Sequence, residues 1–190
     1  MKILMLAIFV ILVITVVFKI INLKNVKYKE PKFLTNKKVL TVYYSDLGNT
    51  RKVAQNLHSV VGGDIKEIKL IDKYPENIFE KSNLVRKQAK EGILPKIEDI
   101  DFSDYDVIFA GSPIWGLGVS LPVQSFLKNN DFEDKILIPF FTYSGGANRN
   151  KVFNNIKNYA NAKEIKKPLF IFENGFFLTK ECVINWLNRI

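Results

Sequence analysis

The chain has 190 residues, 47% hydrophobic and 25% charged, which suits one domain with a core and a short appendage. One cysteine, Cys182, excludes an internal disulfide and a thiolate metal cluster, and one histidine, His58, argues against a zinc site or a Ser-His-Asp triad. The net charge of +9 is concentrated in residues 19–38, where seven lysines face one glutamate; Val39 to Ile190 balances at only +2, so nucleic-acid binding is not expected.

In chain order, Ile3 to Leu23 comes first, an apolar run interrupted by Thr15, Lys19 and Asn22. As a helix it is about 31 Å long, matching a hydrocarbon core of about 30 Å. It exceeds the apolar core of a cleaved signal, and no small-x-small site follows it. The reading is an uncleaved single-pass membrane anchor over 1–23. Lys19, Lys24, Lys27, Lys29, Lys32, Lys37 and Lys38 follow the span while only Lys2 precedes it, so the positive-inside rule puts the C-terminal domain in the cytoplasm. Residues 24–37 form a lysine-rich linker attracted to anionic lipid, and 38–190 form the domain.

Within the domain, Val39 to Tyr44 reads as a buried strand, and Asn49 to Val61 as a helix with Val53, Ala54, Leu57, Val60 and Val61 on one face, ended by Gly62-Gly63. Ile65 to Ile71 alternates as a half-exposed strand, and Glu76 to Glu91 is a charged, solvated helix. Tyr105 to Ala110 and Ile136 to Phe141 are continuous apolar runs, as expected of central parallel strands. Helices are expected over Pro122 to Asn129 and Arg149 to Ala160, then a strand over Pro168 to Phe172 and a closing helix over Lys180 to Ile190. Five strands alternating with helices make a doubly wound α/β sheet. His58 reads as a boundary residue, Cys182 as packed, and Trp186 and Leu187 as core anchors.

In such a sheet, ligands gather at the carboxyl ends of the strands. Three loops there are unusual in composition. Ser45-Asp46-Leu47-Gly48-Asn49-Thr50 joins the first strand to the first helix; its backbone N–H groups and the helix N-terminus suit a phosphate, although an ordinary N-cap loop favours the same residues. "GSPIWGLG", Gly111 to Gly118, frames Trp115 with glycines that permit close backbone approach. "TYSGGAN", Thr142 to Asn148, again sets an aromatic beside glycines and hydroxyls. Together they describe a site for a phosphorylated planar ring.

These residues resemble the flavodoxin family. Its first loop runs Ser/Thr-x-Thr-Gly-Asn-Thr around the FMN phosphate, as Ser45 to Thr50 does here with Leu47 in place of the usual threonine. Pro113-Ile114-Trp115-Gly116 is similar to the Pro-Ile-Trp segment of a bacterial flavodoxin-like branch. Thr142-Tyr143-Ser144-Gly145-Gly146 is similar to that branch's Thr-x-Ser/Gly-Gly-Gly loop. The resemblance implies a sheet of order 2-1-3-4-5, FMN as cofactor with Trp115 and Tyr143 bordering its ring, and backbone near Gly116 at the flavin N5 edge. It implies no catalytic side chain and a short route from the last strand to the closing helix. Asp46 adds a negative charge beside the phosphate, with Arg51 and Lys52 near enough in sequence to offset it.

The expected function is membrane-anchored electron transfer to a redox partner protein or small acceptor. Alternatives are an FMN-dependent reductase of a quinone or other small acceptor, and a flavin-free tethered interaction domain. A phosphoacceptor receiver module is set aside: it needs an aspartate at the end of strand three, where Ala110-Gly111-Ser112 stands.

Overall fold

The computed structural model describes residues 5, 8–14, 27–116, 118–173 and 179–190. Along them run β1 (Val39–Tyr43), α1 (Asn49–Val61), β2 (Asp64–Glu67), α2 (Ile78–Glu91), β3 (Val107–Trp115) and β4 (Gly118–Val119). There follow α3 (Leu121–Lys128), β5 (Phe132–Tyr143), α4 (Arg149–Tyr159), β6 (Ala162–Ile165), β7 (Leu169–Phe172) and α5 (Lys180–Leu187). The sheet path is β2-β1-β3-β5-β6, parallel throughout, with β4 antiparallel to β3 and β7 parallel to β5.

The sheet is doubly wound because its central strands are apolar on both sides. Leu40, Val42, Ile108, Ala110, Leu137 and Phe141 face one cluster under α3 and α4; Val39, Tyr43, Val107, Phe109, Ile138 and Phe140 face another under α1 and α5. Val53, Ala54 and Leu57 of α1 meet Val183, Trp186 and Leu187 of α5 on the second face, as their helical spacing requires. Trp186 is buried and donates Nε1–H to the Lys167 carbonyl at 3.1 Å.

The expected order 2-1-3-4-5 survives as the five-position path, renumbered by β4, but the expected five strands become seven among the described residues, for two local reasons. The GSPIW stretch, expected as a loop, continues β3 to Trp115 and folds back at Gly116 (φ +59°) to make β4. The edge strand beside β5 comes in two pieces, β6 and β7, broken around Pro168, which has no N–H to donate to a ladder. β5 is also longer than its apolar run, taking in Phe132 at one end and Thr142 and Tyr143 at the other.

Helix α2 is the main departure. A crossover helix normally buries a face on the sheet, yet α2 buries no residue. The sheet surface beside β1 is instead covered by Ile68, Leu70, Ile97, Ile100 and Phe102, with an antiparallel bridge between Leu70 and Ile97. Displaced from that surface, α2 is held by its caps. Asn77 Oδ1 accepts from the N–H groups of Phe79 and Glu80, and Gly92 closes the helix in the left-handed region.

The segment expected as a linker is attached to the domain where it is described. Leu34 is buried, Tyr28 and Phe33 pack beside it, and Asn188 holds the strand of chain from both sides: its Oδ1 accepts from Lys29 N–H and its Nδ2 donates to the Lys27 carbonyl. The membrane anchor expected over 1–23 lies largely outside the described residues, as do Lys24 to Val26, Leu117 and residues 174–178 on the route to α5. Met5 and residues 8–14 are helical and exposed. Among the described residues no helix is long and apolar enough to cross a membrane.

Candidate functional site

The carboxyl ends of β1, β3 and β5 bring the three sequence segments to one edge of the sheet. After β1, Ser45 Oγ accepts from Gly48 N–H at 3.1 Å, which curls the loop so that Gly48 takes φ +88° at the N-cap of α1. Such a φ favours glycine, and a Cβ there would project into open space. No side chain caps α1, whereas Asn77, Asn148 and Thr179 cap α2, α4 and α5. The first turn of α1 also holds no acidic residue, so its N–H groups and its positive dipole end suit an anion.

Thr50 and Thr142 join the first and third segments. Both are buried, and their Oγ1 atoms lie 2.8 Å apart across 92 residues of sequence. In such a pair one hydroxyl donates to the other, and the accepting hydroxyl keeps its own proton free. Tyr44 ties in the second segment through an edge-to-face contact with Trp115, ring centroids 5.5 Å apart. Trp115 stands on a hairpin closed at its base by Ser112 and Ser120, both buried: Ser112 Oγ accepts from Ser120 N–H at 3.0 Å and meets its hydroxyl at 3.0 Å.

Of the expected site residues, Ser45, Asp46, Gly48, Asn49 and Thr50 form the cradle, and Leu47 points into solvent, 77% exposed. Pro113, Ile114 and Trp115 lie on β3 and only Gly116 turns, a correction to the loop expected there. Thr142 and Tyr143 end β5, while Ser144, Gly145 and Gly146 are exposed beyond it, with open space where a Cβ would stand on either glycine. Tyr143 meets Phe172 edge-to-face at 5.4 Å and accepts a hydrogen bond from Arg149.

The partner of Asp46 is also corrected. Arg51 is occupied with Glu67, Nη2 to Oε1 2.6 Å, so it does not offset Asp46. Lys81 of α2 does, with Nζ 2.8 Å from Oδ1 and both side chains mostly buried. Tyr74 accompanies it, edge-on to Trp115 at 5.7 Å and donating to Gln88 Oε1 at 2.9 Å. Burial pushes the Tyr74 phenol up to about 12 and raises that of Tyr44 as well, with the Asp46 charge adding to the latter, so both stay protonated at neutral pH. Sequence reading missed Tyr74, Lys81 and Arg149. Lys81 is one of several lysines on α2, and nothing local distinguishes it before the displacement of the helix is known.

The arrangement offers an anion cradle, aromatic rings beside it and glycines that allow close backbone approach. No group of three or more histidine, cysteine or acidic side chains able to hold a metal occurs among the described residues.

The family model described as Flavodoxin matches residues 38–190. A solved structure from Bacteroides uniformis is 22% identical, with a TM-score of 0.67 over 80% of this chain and 99% of its own. Another from Bacteroides eggerthii is 24% identical, with a TM-score of 0.65 over 80% and 97%. A flavoprotein from Lactobacillus acidophilus, solved in complex with FMN, is 24% identical with a TM-score of 0.60 over 70% and 93%. At these identities the likeness is one of fold. No curated protein matches the chain.

Proposed function

Since the chain belongs to the flavodoxin family, we propose that its carboxyl-edge site holds FMN and that the domain transfers electrons between partners. The observation that carries this is the joining of the uncapped α1 N-terminus to the end of β5 by the Thr50–Thr142 hydrogen bond, with Trp115 at the end of the adjacent β3. The residues fit the group. Gly48 leaves a cradle free of side chains, the Asp46 carboxylate is neutralised by Lys81, and Gly116, Gly145 and Gly146 leave room for a ring. The FMN-bound Lactobacillus acidophilus neighbour supports the same reading.

FMN, when bound, supplies the redox chemistry. The N–H groups at the start of α1 and the accepting hydroxyl of the threonine pair orient the phosphate. Trp115 and Tyr143 limit the ring's freedom and exclude water. Backbone at Gly116, in the left-handed glycine conformation, would lie at the ring edge and could offer it a hydrogen-bonding group.

We include the single-pass anchor over 1–23, with the domain in the cytoplasm, as part of this proposal. The Asn188 clamp on Lys27 and Lys29 supports a partner of one kind. It lies at the end of α5 and close to the start of β1, the amino edge of the sheet, whereas the site lies at the carboxyl edge. The five residues of β1 alone separate these edges by about 17 Å. A tether leaving the amino edge directs the site away from the bilayer, which favours a water-soluble redox partner over a quinone dissolved in lipid.

The test is titration of the full chain in non-ionic detergent with FMN, read by flavin fluorescence and absorption. Quenched fluorescence and perturbed bands are expected, with affinity lowered roughly tenfold or more by Trp115→Ala and by Thr50→Ala. A folded chain that leaves the flavin spectrum unchanged at tens of micromolar overturns the proposal. Oxidation of NAD(P)H by the purified flavin-loaded chain would replace the carrier with a reductase.

A further inference from the structure

Between α2, the Trp115 hairpin, α3 and α4 lies a cavity of about 600 Å³, within the size range of small-molecule sites. It adjoins the anion cradle and shares Asp46 with it, and Ile114, Trp115 and Gly116 with the second segment, but Ser45, Gly48, Asn49, Thr50 and the residues from Thr142 to Gly146 lie off its wall. Its lining is largely apolar, with Ile78 and Val85 of α2, Ile114, Trp115 and Val119 of the hairpin and Leu121 of α3.

The charged groups on the wall are of one effective sign. Arg86 of α2 and Lys151 of α4 are exposed, and neither has an ion-pair partner among the described residues. The one carboxylate, Asp46, is already paired with the third cation, Lys81. Ser82 and two amides complete the polar part. Gln124 donates Nε2–H to the Val119 carbonyl at 2.7 Å, and Asn155 stands beside Gly118, its Nδ2 3.9 Å from where a Cβ would be. An apolar interior with two unpaired cations suits a flat apolar body carrying an anion. A neutral ligand would leave both cations unmatched, and a cationic one would be repelled.

We infer that this cavity binds an anionic aromatic small molecule, its ring against Trp115 and its carboxylate or sulfonate between Arg86 and Lys151. Arg86 offers a planar fork of donors and Lys151 a mobile point charge. The position of α2 makes the site. Had α2 packed on the sheet beside β1, the cavity would have lost the wall that Ile78, Val85 and Arg86 provide. The inference goes beyond the flavin reading and does not depend on it, although both sites share Asp46, Ile114, Trp115 and Gly116.

Anthraquinone-2-sulfonate is the probe, titrated into the full chain in non-ionic detergent and followed by equilibrium dialysis and tryptophan quenching. Saturable binding to the wild type is expected, weakened roughly tenfold or more by Arg86→Glu/Lys151→Glu and less by Arg86→Gln/Lys151→Gln. FMN titrations should be unchanged in both variants. Because Arg86 and Lys151 are exposed, neither pair of substitutions threatens the fold. No binding to the wild type, equal binding to the charge-reversed variant, or one-for-one displacement of the probe by FMN would each overturn the inference. Probe binding that depends on Arg86 and Lys151 in a chain that ignores FMN would uphold it and remove the flavin reading alone.

Discussion

Three buried threonines show how differently one hydroxyl can be used. Thr50 and Thr142 share a hydrogen bond that joins the start of α1 to the end of β5, while Thr41 Oγ1, in the middle of β1, has no partner among the described residues. Removing one member of a satisfied pair leaves the other desolvated and unmatched; removing an unmatched hydroxyl relieves a cost. Thr142→Val should therefore destabilise the chain by about 1–3 kcal/mol and Thr41→Val stabilise it by about 1 kcal/mol. Shifts in the urea midpoint read both, and a loss of stability in each would refute the contrast.

At the scale of elements, α2 is a helix with sound ends and no buried face. Its tie to the site is one pair, Lys81 to Asp46, with Tyr74 bonded to Gln88 beside it. Local stability follows buried contacts, and α2 has few of them. Lys81→Ala should speed amide exchange through Ile78–Glu91 by roughly tenfold while leaving α1, packed through Val53, Ala54 and Leu57, unchanged. Equal change in both helices would mean that α2 belongs to the main cooperative unit. The break between β6 and β7 has a similarly local origin, since a single proline interrupts the ladder without disturbing the direction of the strand.

For the whole molecule, the two apolar faces of the sheet hold the domain together, and residues at both its edges set how it responds to pH. Burial raises the Tyr28 phenol at the amino edge, with Glu30 adding to it, and the Tyr74 phenol at the carboxyl edge, each from 10.0 to about 12. A group whose folded value is raised stabilises fully below its unfolded value and loses that contribution as pH climbs through the folded one. Stability should thus hold to about pH 10 and fall between 10 and about 12. Tyr28→Phe/Tyr74→Phe should flatten that fall, which thermal melts across the alkaline range would check; an unaltered slope would assign the fall to other groups.

The alternation of apolar strands with amphipathic helices was legible because burial on both faces of β1, β3 and β5 and on one face of α1 writes itself as local periodicity. The bounds of α1 follow from Asn49 to Val61 directly, and the three segments at the carboxyl edge were legible because glycines, hydroxyls and aromatics at strand ends serve no core. Periodicity reports how a residue is buried, not against what. The extension of β3 through Trp115 depended on Ser112 and Ser120 closing a hairpin, and the two-piece edge strand depended on where β5 offered partners. The charged helix looked solvated in sequence, and it is; only the packing of Ile97, Ile100 and Phe102 onto the sheet moved it to the site. Thus the sequence alone determined the layered α/β architecture and the chemistry of the cradle, both set by near neighbours in the chain. Tertiary structure decided which cation meets Asp46 and which helix walls the cavity, because those pairings join residues distant in sequence, 35 apart for Lys81 and Asp46, that are matched only when the sheet has formed.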